Sequence, residues 1–80
     1  MTNRYIIIGR KSCPFCISAA DHCREKNTEF IFLDYAQRLD ILEEYKQFHN
    51  HATVPIILAN DVETGLTVKV GGYSELLEHL

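Results

Sequence analysis

Two short apolar runs, Tyr5-Ile6-Ile7-Ile8 and Phe30-Ile31-Phe32-Leu33, flank a stretch with helical spacing, and this arrangement leaves few folds open. Each run is too brief for a helix and apolar at both alternating positions, so each reads as a strand buried on both faces. Gly9 ends the first. Pro14 suits the first turn of a helix, where its missing N–H would have no partner in any case. The stripe Cys16, Ala19, Ala20, Cys23 then keeps helical spacing as far as Asn27. The connection is long enough for a right-handed βαβ crossover, which predicts two parallel, adjacent strands.

Downstream, Ile41, Leu42, Tyr45 and Phe48 carry a second helix that ends near Asn50, with Asp40 and Glu43 at the spacing of an acidic capping box. Pro55 opens a third strand, Ile56 to Ala59, at the first residue of a strand, where a sheet tolerates proline. Leu66, Val68 and Val70 alternate with Thr67 and Lys69 as an outer strand does. The polar stretch from Asn60 to Gly65 joins these two strands as a hairpin. Gly71 and Gly72 break the chain, and Ser74 can cap a last short helix containing Leu76, Leu77 and Leu80. The expected order is β-α-β-α-β-β-α, an α/β class, with neither linker nor repeat.

A chain of 80 residues buries only roughly 63% of its unfolded surface, which leaves room for one core; residues 1–80 are read as a single domain. No apolar run approaches the roughly 18 to 20 residues that span a bilayer, and no long apolar block marks a secretory signal, so no membrane partner is expected. The net charge is −3, which gives no global positive field for nucleic acid. Charge is uneven, however. Residues 1–20 hold Arg4, Arg10 and Lys11 and no acid, whereas residues 21–80 hold five bases and eleven acids. The only positive neighbourhood therefore surrounds two of the three cysteines. An odd, sparse cysteine set is not that of a disulfide-stapled secreted domain, and a reducing, cytoplasmic setting is expected.

Cys13-Pro14-Phe15-Cys16 is the leading chemical signal. Between a buried strand and a helix, Cys13 meets unpaired N–H groups and the positive end of the helix dipole, both of which favour a thiolate. Such sites lower a thiol from about 8.5 to between roughly 3.5 and 7.5, and Arg10 and Lys11 push the same way. Cys16 lies one turn deeper, close enough to form a disulfide with Cys13. The pair reads as a nucleophile with a resolving partner. The same spacing also fits half a zinc site, with Cys23, His22, His49 and His51 as further candidates, but a structural site needs four convergent ligands and no second pair is evident.

Gly9-Arg10-Lys11-Ser12-Cys13-Pro14-Phe15-Cys16, then Thr53-Val54-Pro55, then Gly71-Gly72-Tyr73-Ser74, together resemble a dithiol glutaredoxin of the thioredoxin superfamily. The resemblance spans residues 5 to 80. It implies a four-stranded mixed sheet flanked by three helices, and glutathione as the electron-donating co-substrate, with no permanently bound cofactor or metal. It further implies a cis Val54–Pro55 bond facing the Cys13 sulfur, with the Val54 backbone N–H and C=O left free to pair with an extended cysteinyl peptide. Thr53, Val54 and Pro55 thereby become ligand contacts. By the same resemblance the amides of Tyr73 and Ser74, with the Ser74 hydroxyl, receive the γ-glutamyl carboxylate beside Gly72, and Arg10 pairs with the glycyl carboxylate. Phe15 stands where the family more often has Tyr, so a phenolic contact is missing. Disulfide-containing or glutathionylated proteins, ribonucleotide reductase among them, are the implied partners of a monomer.

The chain departs from the family in three places: the connection from Pro55 to Gly71 is about six residues longer than usual, the last helix is short, and no clear match exists for the polar residue of the second helix, for which Arg38, Lys46 and Gln47 are candidates. A related redoxin reduced by thioredoxin reductase would share the fold and the Cys-x-x-Cys, and a zinc-stabilised interaction module is the alternative from another class. Cys23 lies two turns beyond Cys16, about 10.5 Å along the axis, too far for a disulfide, and reads as a packed core thiol. His22, His49, His51 and His79 are expected to face solvent. Phe30, Phe32, Tyr45 and Phe48 are expected in the core.

Overall fold

The computed structural model describes residues 3–80. Seven elements follow one another: β1 (Asn3–Gly9), α1 (Pro14–Glu25), β2 (Phe30–Asp34), α2 (Leu39–Phe48), β3 (Ile56–Asp61), β4 (Thr67–Gly71) and α3 (Tyr73–His79). The order β-α-β-α-β-β-α expected from the sequence is the one observed. The sheet runs β2-β1-β3-β4. β1 and β2 are parallel, with Tyr5 opposite Phe30 and Gly9 opposite Asp34, while β3 is antiparallel to both β1 and β4.

Strand periodicity divides the apolar residues between two layers. Tyr5 and Ile7 of β1 and Ile57 and Ala59 of β3 face Ala19, Ala20 and Cys23 of α1 and Leu76 of α3. Ile8 and Ile56 point the other way, to Leu42 of α2, with Ile6, Leu58 and Val54 beside them. The two central strands are thus apolar on both faces because helices cover both. Cys23 is fully buried, as a packed core thiol should be.

Several expectations need correction. β2 is an edge strand rather than a doubly buried one: Phe30 and Phe32 pack on the α1 side, but Ile31 is 45% exposed, since β2 has β1 on one side only. β4 begins one residue after Leu66; of its apolar side chains only Val70 reaches the core, and Val68 and the preceding Leu66 are exposed. α3 has seven residues, about 10 Å of helix, too short to cover the far end of that strand. Phe48, in the last turn of α2, is 82% exposed, and Leu42 is the one buried residue of that helix. α2 begins at Leu39 with Arg38 as its cap residue. Asp40 makes no capping box and instead accepts two hydrogen bonds from the Arg38 guanidinium, at 3.1 and 3.0 Å.

Ser74 is not the cap of α3 either. Gly72 holds that position, and its N–H donates to Glu75 Oε1 at 2.7 Å. Gly71 before it has φ +127°, and a Cβ there would stand 2.8 Å from the Glu75 carboxylate, so glycine is required twice over. The long connection is β3 itself extended to Asp61, followed by a turn in which Asp61 Oδ1 accepts the Glu63 N–H and Asp61 O accepts the Gly65 N–H. Among the described residues no helix is long and apolar enough to cross a membrane.

Candidate active site

β1 ends and α1 begins at the same edge of the sheet, and the turn between them carries both leading cysteines. Cys13 is the N-cap of α1 in an extended conformation (φ −91°, ψ 118°), and Pro14 occupies the first turn as expected. The Cys13 N–H donates to Arg10 O (3.1 Å), which closes the turn, and Cys13 O accepts the first helical bond, from Ile17 (3.1 Å). Its side chain caps nothing. The sulfur is therefore left at the open end of a helix, 3.9 Å from Val54 O, to which the thiol donates.

The two thiols differ in acidity. Burial resists ionisation of Cys13, yet the Cys16 thiol, the N–H groups of Cys16 and Phe15 and the charge of Arg10 outweigh it, and the net shift is downward. Burial pushes Cys16 up to about 12, helped by the adjacent Cys13 and only partly opposed by the Arg10 N–H and guanidinium. Of the two bases expected to act on Cys13, Arg10 is the one whose charge lowers it, and Lys11 stands apart. It is exposed, and its N–H donates to Asp34 Oδ1 instead.

The other motifs come to the same edge. The Val54–Pro55 bond is cis. A Cβ built on Gly9 would have the Pro55 Cα 3.8 Å away, and one built on Gly72 would have the Pro55 carbonyl oxygen at 3.7 Å, so both glycine segments abut Pro55. The Val54 C=O is not wholly free, because it accepts from the Cys13 thiol. Phe15, 61% exposed, lies with its ring 5.9 Å from that of Tyr73 at an interplanar angle of 32°. Thr53 and Ser74 are exposed, Gly72 and Tyr73 half-buried. Arg10 is half-buried, and its Nε is shielded from solvent with no hydrogen-bond partner among the described residues. Arg38 is held by Asp40 and Lys46 lies 3.7 Å from Glu43, whereas Gln47 and Lys46 line an open groove with Asn50, His51 and Ala52.

The histidines do not all face solvent. His22, His49 and His51 are half-buried, and exposed His79 shares a 2.8 Å hydrogen bond with the Tyr5 hydroxyl. His51 Nε2 is shielded, has no hydrogen-bond partner among the described residues, and lies against the Gly72 segment. Nothing in the local sequence singles this residue out. Among the described residues no three His, Cys, Asp or Glu side chains converge as metal ligands.

No protein-family model and no curated protein matches the chain. Solved structures do. Glutaredoxin 1 from Francisella tularensis, determined as a complex with cacodylate, is 28% identical with a TM-score of 0.66, over 98% of this chain and 92% of its own. The glutaredoxin from Brucella melitensis, a solution structure, is 27% identical with a TM-score of 0.72, over 94% of this chain and 75% of its own. Similarity of that extent, joined to the strand order and the Cys13–Cys16 turn, gives the chain a glutaredoxin-like fold and supports its assignment to the glutaredoxin branch of the thioredoxin superfamily.

Proposed function

We propose that the protein is a glutathione-dependent thiol–disulfide oxidoreductase. The observation that carries the reading is the division of labour between two neighbouring sulfurs: Cys13 at the open end of α1 with its acidity raised, and Cys16 one turn deeper and sealed from solvent. The Cys13 thiolate attacks a substrate disulfide, forms a mixed disulfide and releases one substrate thiolate. Cys16 then attacks Cys13 Sγ, which forms the Cys13–Cys16 bond and releases the second thiolate, so the substrate gains two electrons and the protein loses two. Two glutathione molecules reopen that bond. On a glutathionylated substrate Cys13 suffices, because glutathione resolves the mixed disulfide.

The resemblance and features of this chain support glutathione as the donor. Arg10 offers a half-buried guanidinium with an unused Nε–H for the glycyl carboxylate. The Val54 backbone lies beside the attacking sulfur for the cysteinyl segment. Gly72, Tyr73 and Ser74 are the segment for the γ-glutamyl end, with Phe15 and Thr53 at the rim. Protein disulfides and glutathionylated proteins are the partner class, in a reducing compartment.

The test is NADPH consumption with a glutathione mixed disulfide, glutathione and glutathione reductase. Sustained turnover supports the proposal. Turnover only when thioredoxin reductase replaces that pair transfers the donor role to thioredoxin reductase and overturns glutathione dependence.

A further inference from the structure

Gly9 is the last residue of β1, paired with Asp34 in the parallel ladder, and its C=O accepts the Tyr35 N–H at 2.9 Å. It is not among the positive-φ glycines, so its backbone conformation is one that any residue adopts. A glycine in a strand is otherwise disfavoured, and where it occurs it often marks a close approach. The approach here is by a sulfur. A Cβ on Gly9 would overlap Cys16 Sγ outright and stand 3.3 Å from Cys16 Cβ, with the Pro55 Cα 3.8 Å away. The near wall is a short side chain, Cys16 Sγ with its Cβ fixed on the first turn of α1, and the other is backbone, so an added methyl is accommodated by displacing the sulfur.

We propose that Gly9 is a positioning residue for the resolving sulfur: the vacancy it leaves in β1 is the seat of Cys16 Sγ, and this seat sets the approach of Cys16 to a mixed disulfide on Cys13. The inference rests on the exchange reaction proposed above. In the step concerned, Cys16 Sγ attacks Cys13 Sγ as the Cys13–S bond to glutathione breaks; glutathione leaves as thiolate and the Cys16 proton goes to solvent. A methyl group on residue 9 moves Cys16 Sγ by roughly 1 Å or more, and a misplacement of that size costs a positioned reaction about 10- to 100-fold. Capture of substrate by Cys13 does not use Cys16 Sγ as nucleophile and feels the shift only through the Cys16 hydrogen bond to the Cys13 sulfur, so it changes far less than closure.

The experiment mixes reduced protein with glutathione disulfide and follows the protein by acid quench and mass spectrometry, which separates glutathionylation of Cys13 from closure of Cys13–Cys16. In Gly9→Ala the glutathionylated species should accumulate, with closure slowed about 10- to 100-fold and glutathionylation within about threefold of wild type. Closure at the wild-type rate, or an equal slowing of both steps, overturns the proposal. A second arm compares thermal midpoints: Gly9→Ala should lower the midpoint less in a Cys16→Ala background, where the sulfur is gone, than in the wild type. An equal loss in both backgrounds overturns the shared seat. Should Gly9→Ala alone not fold, recovery of folding in Gly9→Ala/Cys16→Ala supports the seat and failure to recover overturns it. Failure of the exchange reading is distinguished by wild-type protein that takes up no glutathione or never closes; the thermal comparison then decides the seat by itself.

Discussion

Exposure of the native, reduced protein to iodoacetamide at pH 7 should modify one of its three cysteines. Cys13 titrates below 9.0, because the hydrogen bonds and the Arg10 charge outweigh its burial, so at pH 7 at least roughly 1% is thiolate. Cys16, pushed by burial up to about 12, is ionised to roughly one part in 100,000. The thiolate ratio is then about 1000 or more. The more basic thiolate is the better nucleophile, and a Brønsted coefficient of about 0.45 over three pH units returns roughly 20-fold to Cys16. A preference of about 50-fold for Cys13 remains, before the full burial of Cys16 widens it. Cys23 is also fully buried, and burial raises it too, so it should stay silent until the protein unfolds. Timed quenching, proteolysis and mass spectrometry of each cysteine peptide give the three rates. Labelling of Cys16 within tenfold of Cys13, or of Cys23 first, refutes the thiol hierarchy.

Arg10→Ala should raise the Cys13 titration midpoint and, at a pH where the thiol is ionised in both proteins, raise the KM for a glutathione mixed disulfide more than it lowers kcat; unchanged kinetics remove Arg10 from the glutathione contacts. Burial and the charge of Lys69, with His49 adding to them against the pull of Glu75, hold His51 below 6.5. The unfolded imidazole therefore takes up its proton first, so stability should be full above pH 6.5 and fall as pH drops through the folded value; the urea midpoint of His51→Gln should be less sensitive over pH 7.5 to 5 than that of wild type, and equal sensitivity contradicts the assignment. Leu76, fully buried, is the α3 residue at the centre of the α1-side core, and Leu76→Ala should cost about 2–5 kcal/mol in urea unfolding, a loss under about 1 kcal/mol showing that α3 is not anchored there.

Element type and order were legible because the central strands have to satisfy two helical layers at once. Ile6 and Ile8 serve α2 while Tyr5 and Ile7 serve α1 and α3, which makes β1 a continuous apolar run that nothing else in the chain imitates except β3 and β2. β2 misleads for the same reason: Ile31 is as apolar as Ile7, and only the strand order places it at the edge. Phe48, Leu66 and Val68 fail alike, since helix length and hairpin reach decide their exposure and neither is written in local spacing. In the site, a Cys-x-x-Cys before a helix carried its chemistry in the sequence, because the helix terminus itself supplies the N–H groups. Which charge assists it was not legible: Arg10 and Lys11 are adjacent, yet the turn sends only Arg10 to the sulfurs. Gly9 read as a strand terminator, and its contact with Cys16 emerges only when β1 and α1 are packed together. His51 carried no signal because its neighbour Gly72 is 21 positions away in the chain.

The central claim, that Cys13 and Cys16 form the exchangeable pair, is tested most directly by peptide mapping of the native protein equilibrated across a series of glutathione to glutathione disulfide ratios. The predicted result is a single intramolecular bond, Cys13–Cys16, that forms and reopens reversibly with the square of the glutathione concentration over that of its disulfide, while Cys23 stays a free thiol throughout. A stable glutathione adduct on Cys13 that never closes, a bond involving Cys23, or a dithiol that stays reduced at every ratio would contradict it.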